Sequence, residues 1–451
     1  MNIKKISVEQ LFGIFNHSIL IKEDKITIIH GPNGFGKTAL LRLIDGLFNA
    51  KYSELLSIPF KQLIIEMHDE TILIINKDFK PKKVKRNSKE TDLTLKIIKP
   101  GVETKEINLA SDKSIIIAES IARRVPHLEQ VSHDRWMDIR DGEILLAEEV
   151  IRRYKENYSY AEIPISRDKQ SSEWDELRKT VNVYFIQTQR LYVLPEPINV
   201  RRDMRRERNS VVLAVSKYSQ EIIEAIKEKE SEYASLSQSL DRTFPFRLLE
   251  QGSDSKNFED INVISSKLEG LEKSRFRLME AGLLDKEENV DFQILKSRKL
   301  SKPFLSDYAK VLSVYFKDVE QKLGVFDEIA NKIDLFREII ESHFTYKKLK
   351  IDKNRGFMFS TLDENPFPVE NLSSGEQHQL VLLYELLFKI KPGSLILIDE
   401  PELSLHVAWQ VAFLKDMKRI TELTEFDLLL ATHSPQIINN RWDLTVELKG
   451  P

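Results

Sequence analysis

Lys25 to Phe48 reads KITIIHGPNGFGKTALLRLIDGLF. A short apolar run enters a glycine loop, and apolar residues then recur at helical spacing. Gly31–Thr38 fits G-x-x-x-x-G-K-[S/T], with a strand before the loop and a helix after it. Glycines let successive backbone N–H groups curl around a phosphate, and the helix N-terminus adds its dipole. A plain strand–turn–helix junction is the competing reading. The complete order of strand, loop, Lys37-Thr38 and helix favours phosphate. Gly31, Pro32, Asn33, Gly34, Phe35, Gly36, Lys37, Thr38 and Ala39 are therefore the candidate nucleotide contacts. Lys37 is expected to reach the β- and γ-phosphates of ATP, and the Thr38 hydroxyl to bind Mg²⁺.

Three further strand ends supply what such a loop lacks. SLILIDEPE, from Ser394, delivers Asp399 and Glu400 after four buried apolar residues, at the edge where α/β sheets bind ligands. Asp399 can hold Mg²⁺, and Glu400 can orient and deprotonate an attacking water. FDLLLATHS places His433 beyond another apolar strand. There it can contact a γ-phosphate or serve as an ordinary structural histidine. VNVYFIQTQR brings Gln187 to a strand end, followed by Gln189 and Arg190. Gln187 can complete the Mg²⁺ and water shell, and Gln189 is the alternative ligand.

ENLSSGEQHQL, from Glu370, precedes the strongly apolar run LVLLYELLFKI and the stop KPG. Ser373 and Glu376 are spaced as a capping box at a helix start. Taken alone, that structural role explains them.

Composition bounds the rest. The chain has 451 residues, 41% hydrophobic and 31% charged, with a net charge of -3 and no cysteine. Disulfides, thiolate metal sites and cysteine nucleophiles are excluded. The charge balance gives no global reason to expect nucleic acid. No run approaches the ~18 apolar residues of a membrane span, and the first residues lack a signal-peptide core. A cytoplasmic protein is expected. Two local runs, KPKKVKRNSK from Lys80 and NVRRDMRRERNS from Asn199, concentrate positive charge and can meet phosphates or remain solvated loops.

Strand-like pieces fill the first part, with QLIIEMHDETILIIN read as a hairpin turning at His68-Asp69-Glu70. Between Val215 and Leu240, around Ile264–Leu284, and from Tyr308 to Ile340, apolar residues follow helical spacing. The predicted organisation is an α/β head split in two, residues 1–210 and 346–451, with irregular structure over about 77–180. A helical insertion spans 211–345, its first helix on the order of 40 Å long.

In order, GPNGFGKT, FIQTQ, LSSGEQ, LILIDEPE, SLH and ATHS resemble the ATP-binding-cassette ATPases, and more closely their SMC, RecF and OLD-type branch. The resemblance implies a P-loop NTPase head, a mixed sheet flanked by helices, with an inserted α-helical or short coiled-coil domain. It implies that LSSGEQ is the signature motif, departing from the commoner LSGGQ at Ser374 and Glu376. Ser373, Ser374, Gly375 and Glu376 would then cap the γ-phosphate of ATP held by a second subunit. Heads would pair on ATP, giving a homodimer or a higher homo-oligomer, a hexamer among them. Ser404 and His406 in PELSLHVAWQ would link the two sites.

Lys37 and Ser373 stand 336 positions apart, too far for a compact transporter head. The arm is too short for an SMC rod. Size, insertion and the phrase YFIQTQRLYVLPEP resemble the ATPase subunits of bacterial anti-phage systems, PARIS and Septu in particular. That likeness implies a Toprim or HNH nuclease supplied in trans, and a phage protein that mimics DNA as a trigger. A RecF-like DNA clamp is the alternative.

Overall fold

The computed structural model describes residues 3–80, 90–102, 104–109, 113–122, 125, 127–132, 135–140, 142–154, 172–186, 192–193, 212–250, 261–285 and 302–450. Gln187, Gln189, Arg190 and all but Lys80 of the two basic runs lie outside the described residues. The chain divides into two compact units, Met1–Val212 with Lys389–Pro451, and Leu213–Phe388.

The first unit carries two larger sheets. An antiparallel sheet contains β1 (Ile3–Leu11), β2 (Phe15–Leu20), β4 (Gln62–Met67), β5 (Ile72–Lys80), β6 (Glu90–Ile98) and β7 (Lys105–Asn108), in the order β2-β1-β4-β5-β6-β7. Buried and partly exposed residues alternate along β2 and β4, because only one face meets the core. The predicted hairpin is β4–β5, with Glu70 in the left-handed region at φ 64°.

The second sheet is parallel. It contains β3 (Ile26–His30), β11 (Val183–Ile186), β15 (Leu395–Asp399), β16 (Asp427–Ala431) and β17 (Thr445–Glu447), in the order β11-β15-β16-β3-β17. β3, β15 and β16 are buried along nearly their whole length, as strands covered on both faces must be. Helix α1 (Lys37–Phe48) lies against β11, β15 and β16 and shares one apolar core with the antiparallel sheet. Helix α2 (Tyr52–Ser57) follows it. Thus the head's sheet draws on both ends of the chain.

The stretch expected to be irregular has an order of its own. β5–β7 extend the antiparallel sheet. Helices α3 (Lys113–Ala122) and α4 (Ala147–Tyr154) accompany a three-stranded sheet of β8 (Leu128–Ser132), β9 (Arg135–Asp138) and β10 (Glu143–Leu146), around a separate core that includes Trp136. Helix α5 (Ser172–Thr180) brings Trp174 into the main core, where its indole N–H donates to the Tyr52 hydroxyl at 2.9 Å.

The second unit holds the long helices α6 (Ala214–Glu250), α7 (Ile261–Glu280), α8 (Lys302–Gly324) and α9 (Asp327–His343). At 37 residues α6 is about 55 Å long, beyond the expected 40 Å. Its apolar spacing fades after Leu240. The continuation is tied instead by Arg247, which bonds the Asp318 carboxylate of α8. The Tyr308–Ile340 pattern is two helices, not one, broken at Gly324–Phe326 where buried Phe326 starts α9.

The expected boundary at residue 346 moves to 388. Strands β12 (Lys347–Asp352), β13 (Gly356–Thr361) and β14 (Pro366–Phe367) pair only with one another among the described strands. They pack on the helices: a Cβ on Gly356 would meet the Ser219 Oγ of α6 at 2.2 Å, and that Oγ accepts the Phe357 amide at 2.9 Å. Helix α10 (Ser374–Tyr384) joins this unit through rings, with Tyr384 stacked on Tyr218 at 4.7 Å and on Phe388 at 4.9 Å. No described helix is long and apolar enough to cross a membrane.

Candidate functional site

Buried β3 ends at His30, and the chain turns through Gly31, Gly34 and Gly36 before α1 starts at Lys37. Gly34 and Gly36 have φ of 86° and 88°, which side chains disfavour. At Gly36 a Cβ would also lie 2.4 Å from Leu11 Cδ2. The loop is braced from outside by a residue that motif reasoning missed. His17 Nε2–H donates to Phe35 O at 2.8 Å, and Phe35 packs on Phe15. Burial pushes the His17 imidazole down, and its bond to Phe35 opposes that.

Lys37 is 5% exposed. Its ammonium donates to Gly31 O at 2.9 Å and Pro32 O at 3.1 Å and lies 3.4 Å from His433 Nδ1. Burial lowers its pKa, while Glu400, Asp399 and Glu402 push it back up. A cation is thus fixed at the mouth of a loop of N–H donors, the arrangement an oligophosphate fits.

Asp399 closes β15. Burial raises its carboxyl, opposed first by a hydrogen bond from the Thr38 hydroxyl. Its Oδ1 is buried without a hydrogen-bond partner, a situation that costs about 1–3 kcal/mol. A divalent cation there would satisfy that oxygen, with Thr38 beside it. The residues therefore fit Mg²⁺.

Glu400 follows in a left-handed conformation, φ 45° and ψ 58°, fixed by its amide to Ala431 O at 2.9 Å. For a non-glycine residue this is strain, of the kind that concentrates where a side chain must be aimed. His433 Nε2 is 3.8 Å from Glu400 Oε1. The sequence pattern overlooked Glu402, whose Oε1 accepts the His433 amide and the Thr432 hydroxyl, each at 2.8 Å. It fixes where His433 stands.

Asn33, Gly34, Gly36, Lys37, Thr38, Ala39, Glu400 and His433 line one cavity of about 380 Å³. Its remaining wall was not foreseen: Phe12, Arg42, Ser57, Ile58 and Pro59. The lining combines charged and polar side chains, Lys37, Arg42, Glu400 and His433, with the apolar Phe12, Ile58 and Pro59, the mixture a nucleotide needs. Pro32 and Phe35 belong to the same loop outside that lining.

In the second unit, Ser373 caps α10 with both halves of a capping box. Its hydroxyl and amide donate to Glu376 Oε2 at 2.8 and 2.9 Å. Lys347 reaches both Glu376 oxygens, at 2.6 and 2.7 Å. Ser374 and Gly375 form the first turn. Burial raises the Glu376 carboxyl, but Lys347 and Ser373 outweigh it, so it sits below its ordinary 4.5. The stabilisation is present above that pH and is lost as pH falls through the depressed value. Lys347→Met is expected to cost about 1–2 kcal/mol near neutral pH, a deficit that shrinks as pH falls and Glu376 is protonated in both proteins, read from thermal melts between pH 3 and 7.

A parallel sheet with a glycine loop and buried lysine after β3, and an acid pair after β15, one strand removed across β16, defines a P-loop nucleoside triphosphatase. The family described as AAA ATPase domain matches residues 1–438. The chain belongs to that family, and it is an ATPase with a helical insertion. No curated protein matches it. Among solved structures it is similar to an Smc head domain with an extended coiled coil bound to the C-terminal domain of ScpA, from Pyrococcus furiosus. That match has 14% identity and a TM-score of 0.35, covering 97% of this chain and 91% of that one. It is also similar to an SMC head domain from Thermotoga maritima, at 11% identity and a TM-score of 0.33, covering 99% and 94%. At these scores the likeness adds nothing to the fold described above.

Proposed function

We propose that the cavity binds ATP, that two heads close on two nucleotides, and that the closed pair is the sensor and scaffold of an anti-phage system restraining a separate nuclease. The observation that carries the ATP reading is the convergence of Lys37, Thr38, Glu400 and His433 on one cavity, with Asp399 hydrogen-bonded by the Thr38 hydroxyl. Lys37 draws the β- and γ-phosphates against the loop amides. Thr38 and Asp399 hold Mg²⁺, which when bound neutralises charge on the phosphates. Glu400 takes a proton from water as its oxygen attacks the γ-phosphorus, and the bond to the β-bridging oxygen breaks. His433, held by Glu402, faces the γ-phosphate. Gln187 is the further candidate for the water shell. Phe12, Ile58 and Pro59 give an apolar wall for the base.

Pairing has its own support. Leu403, Val407 and Val411 stand 70%, 55% and 50% exposed at four-residue spacing just after Glu400, in the segment holding Ser404 and His406. An apolar row left in water beside a catalytic acid suits a face that a second copy covers. The capped start of α10 supplies N–H groups for the γ-phosphate of the facing subunit, with Ser373, Ser374 and Gly375 leading and Glu376 displaced. The defence role rests on the ordered motifs and their likeness to PARIS and Septu.

Native pull-down of tagged Glu400→Gln from its own host, nuclease-treated, tests that role. A stoichiometric Toprim- or HNH-type nuclease is the expected partner. DNA retained before treatment, with no protein partner, would replace the scaffold by a RecF-like clamp. Adding a DNA-mimic phage protein should release the nuclease.

A further inference from the structure

Lys77 lies in β5 and is 5% exposed. Its ammonium donates to three backbone carbonyls, Leu55 at 3.0 Å, Leu56 at 2.7 Å and Ile58 at 2.7 Å, and sits 5.3 Å above the Phe60 ring. These carbonyls belong to the last turn of α2 and the residue beyond it, where a helix leaves its acceptors unpaired. A cation there also meets the negative end of the helix dipole. The next backbone groups are the cavity wall. Ser57, Ile58 and Pro59 line it, and Pro59 O accepts the amide of Phe12, a further lining residue, at 2.8 Å. One side chain thus ties down the Ser57–Pro59 segment, which in turn holds the Phe12 backbone.

Burial pushes the Lys77 ammonium down to about 8. An apolar side chain would occupy the same interior without that desolvation cost. What the ammonium provides, and a methyl group cannot, is three carbonyls drawn to one point.

We propose that Lys77 is a positioning residue for nucleotide binding: by gathering the carbonyls of Leu55, Leu56 and Ile58 it sets the Ser57–Pro59 wall against which the base of ATP rests. It does not touch the nucleotide. The inference rests on reading the cavity as the ATP site.

Calorimetric titration with ATP and with inorganic tripolyphosphate, each with Mg²⁺, separates the wall from the phosphate loop. Wild type should bind both. Lys77→Met should bind ATP about tenfold more weakly and tripolyphosphate as wild type does. Its steady-state KM for ATP should rise with kcat within about twofold. Unchanged ATP affinity would overturn the proposal. An equal loss for both ligands would overturn it too, since the damage would then extend to the phosphate loop. Wild type that binds neither ligand would remove the ATP site itself, a different failure. Should Lys77→Met not fold, Lys77→Arg serves: its longer, planar head cannot hold the three carbonyls as they stand, so the same ATP-selective loss is expected.

Discussion

Lys37→Ala should lose ATP affinity by about 100-fold or more while the protein stays folded. In the structure the ammonium is held at the loop by the carbonyls of Gly31 and Pro32. Each charge-assisted bond it makes to a phosphate is worth about 1.5–3 kcal/mol, and two such bonds account for the expected factor. The check is the rise in melting temperature with ATP and Mg²⁺, which wild type should show and Lys37→Ala should lose. Tight ATP binding by the variant would break the assignment of the glycine loop.

Glu400→Gln separates binding from chemistry. The amide keeps the shape and the left-handed backbone but cannot accept a proton from water. Phosphate release should fall by about 10²–10⁴-fold with ATP affinity retained. Product no longer forms to separate the heads, so the ATP-bound pair should accumulate. Mass in solution should double or multiply with ATP and return on its removal. A mass indifferent to nucleotide would sink the pairing model, even if turnover is lost as expected.

Local chemistry made much of this legible in the sequence. A run as short as LILID, bounded by polar residues, reads as a strand covered on both faces, and Ser373 with Glu376 has one economical structural meaning. Both are decided within a few neighbouring residues. The misses share the opposite character. Glu402 matters through Thr432 and His433, His17 through Phe35, and Phe12 through Pro59. No spacing rule reports such partners. Continuation of α6 past Leu240 likewise depends on Asp318, far along the chain. Over 346–388, strand patterning does not say which sheet a strand joins. Ser219 under Gly356 shows where β13 goes.

The parallel sheet gives this ATPase a birth order. β3 carries the phosphate loop near the start, but its two neighbours, β16 and β17, are made more than 390 residues later. On a ribosome adding about 5–20 residues per second, the finished loop waits roughly 20–80 s for the strands that flank it. Through that interval β3 has neither ladder partner, and nucleotide cannot act as a template for the earlier segments. Newly made chains should therefore gain ATP binding in a single late step rather than by degrees. A ribosome stalled before Asp427 would display a chain that holds the loop's sequence and none of its function.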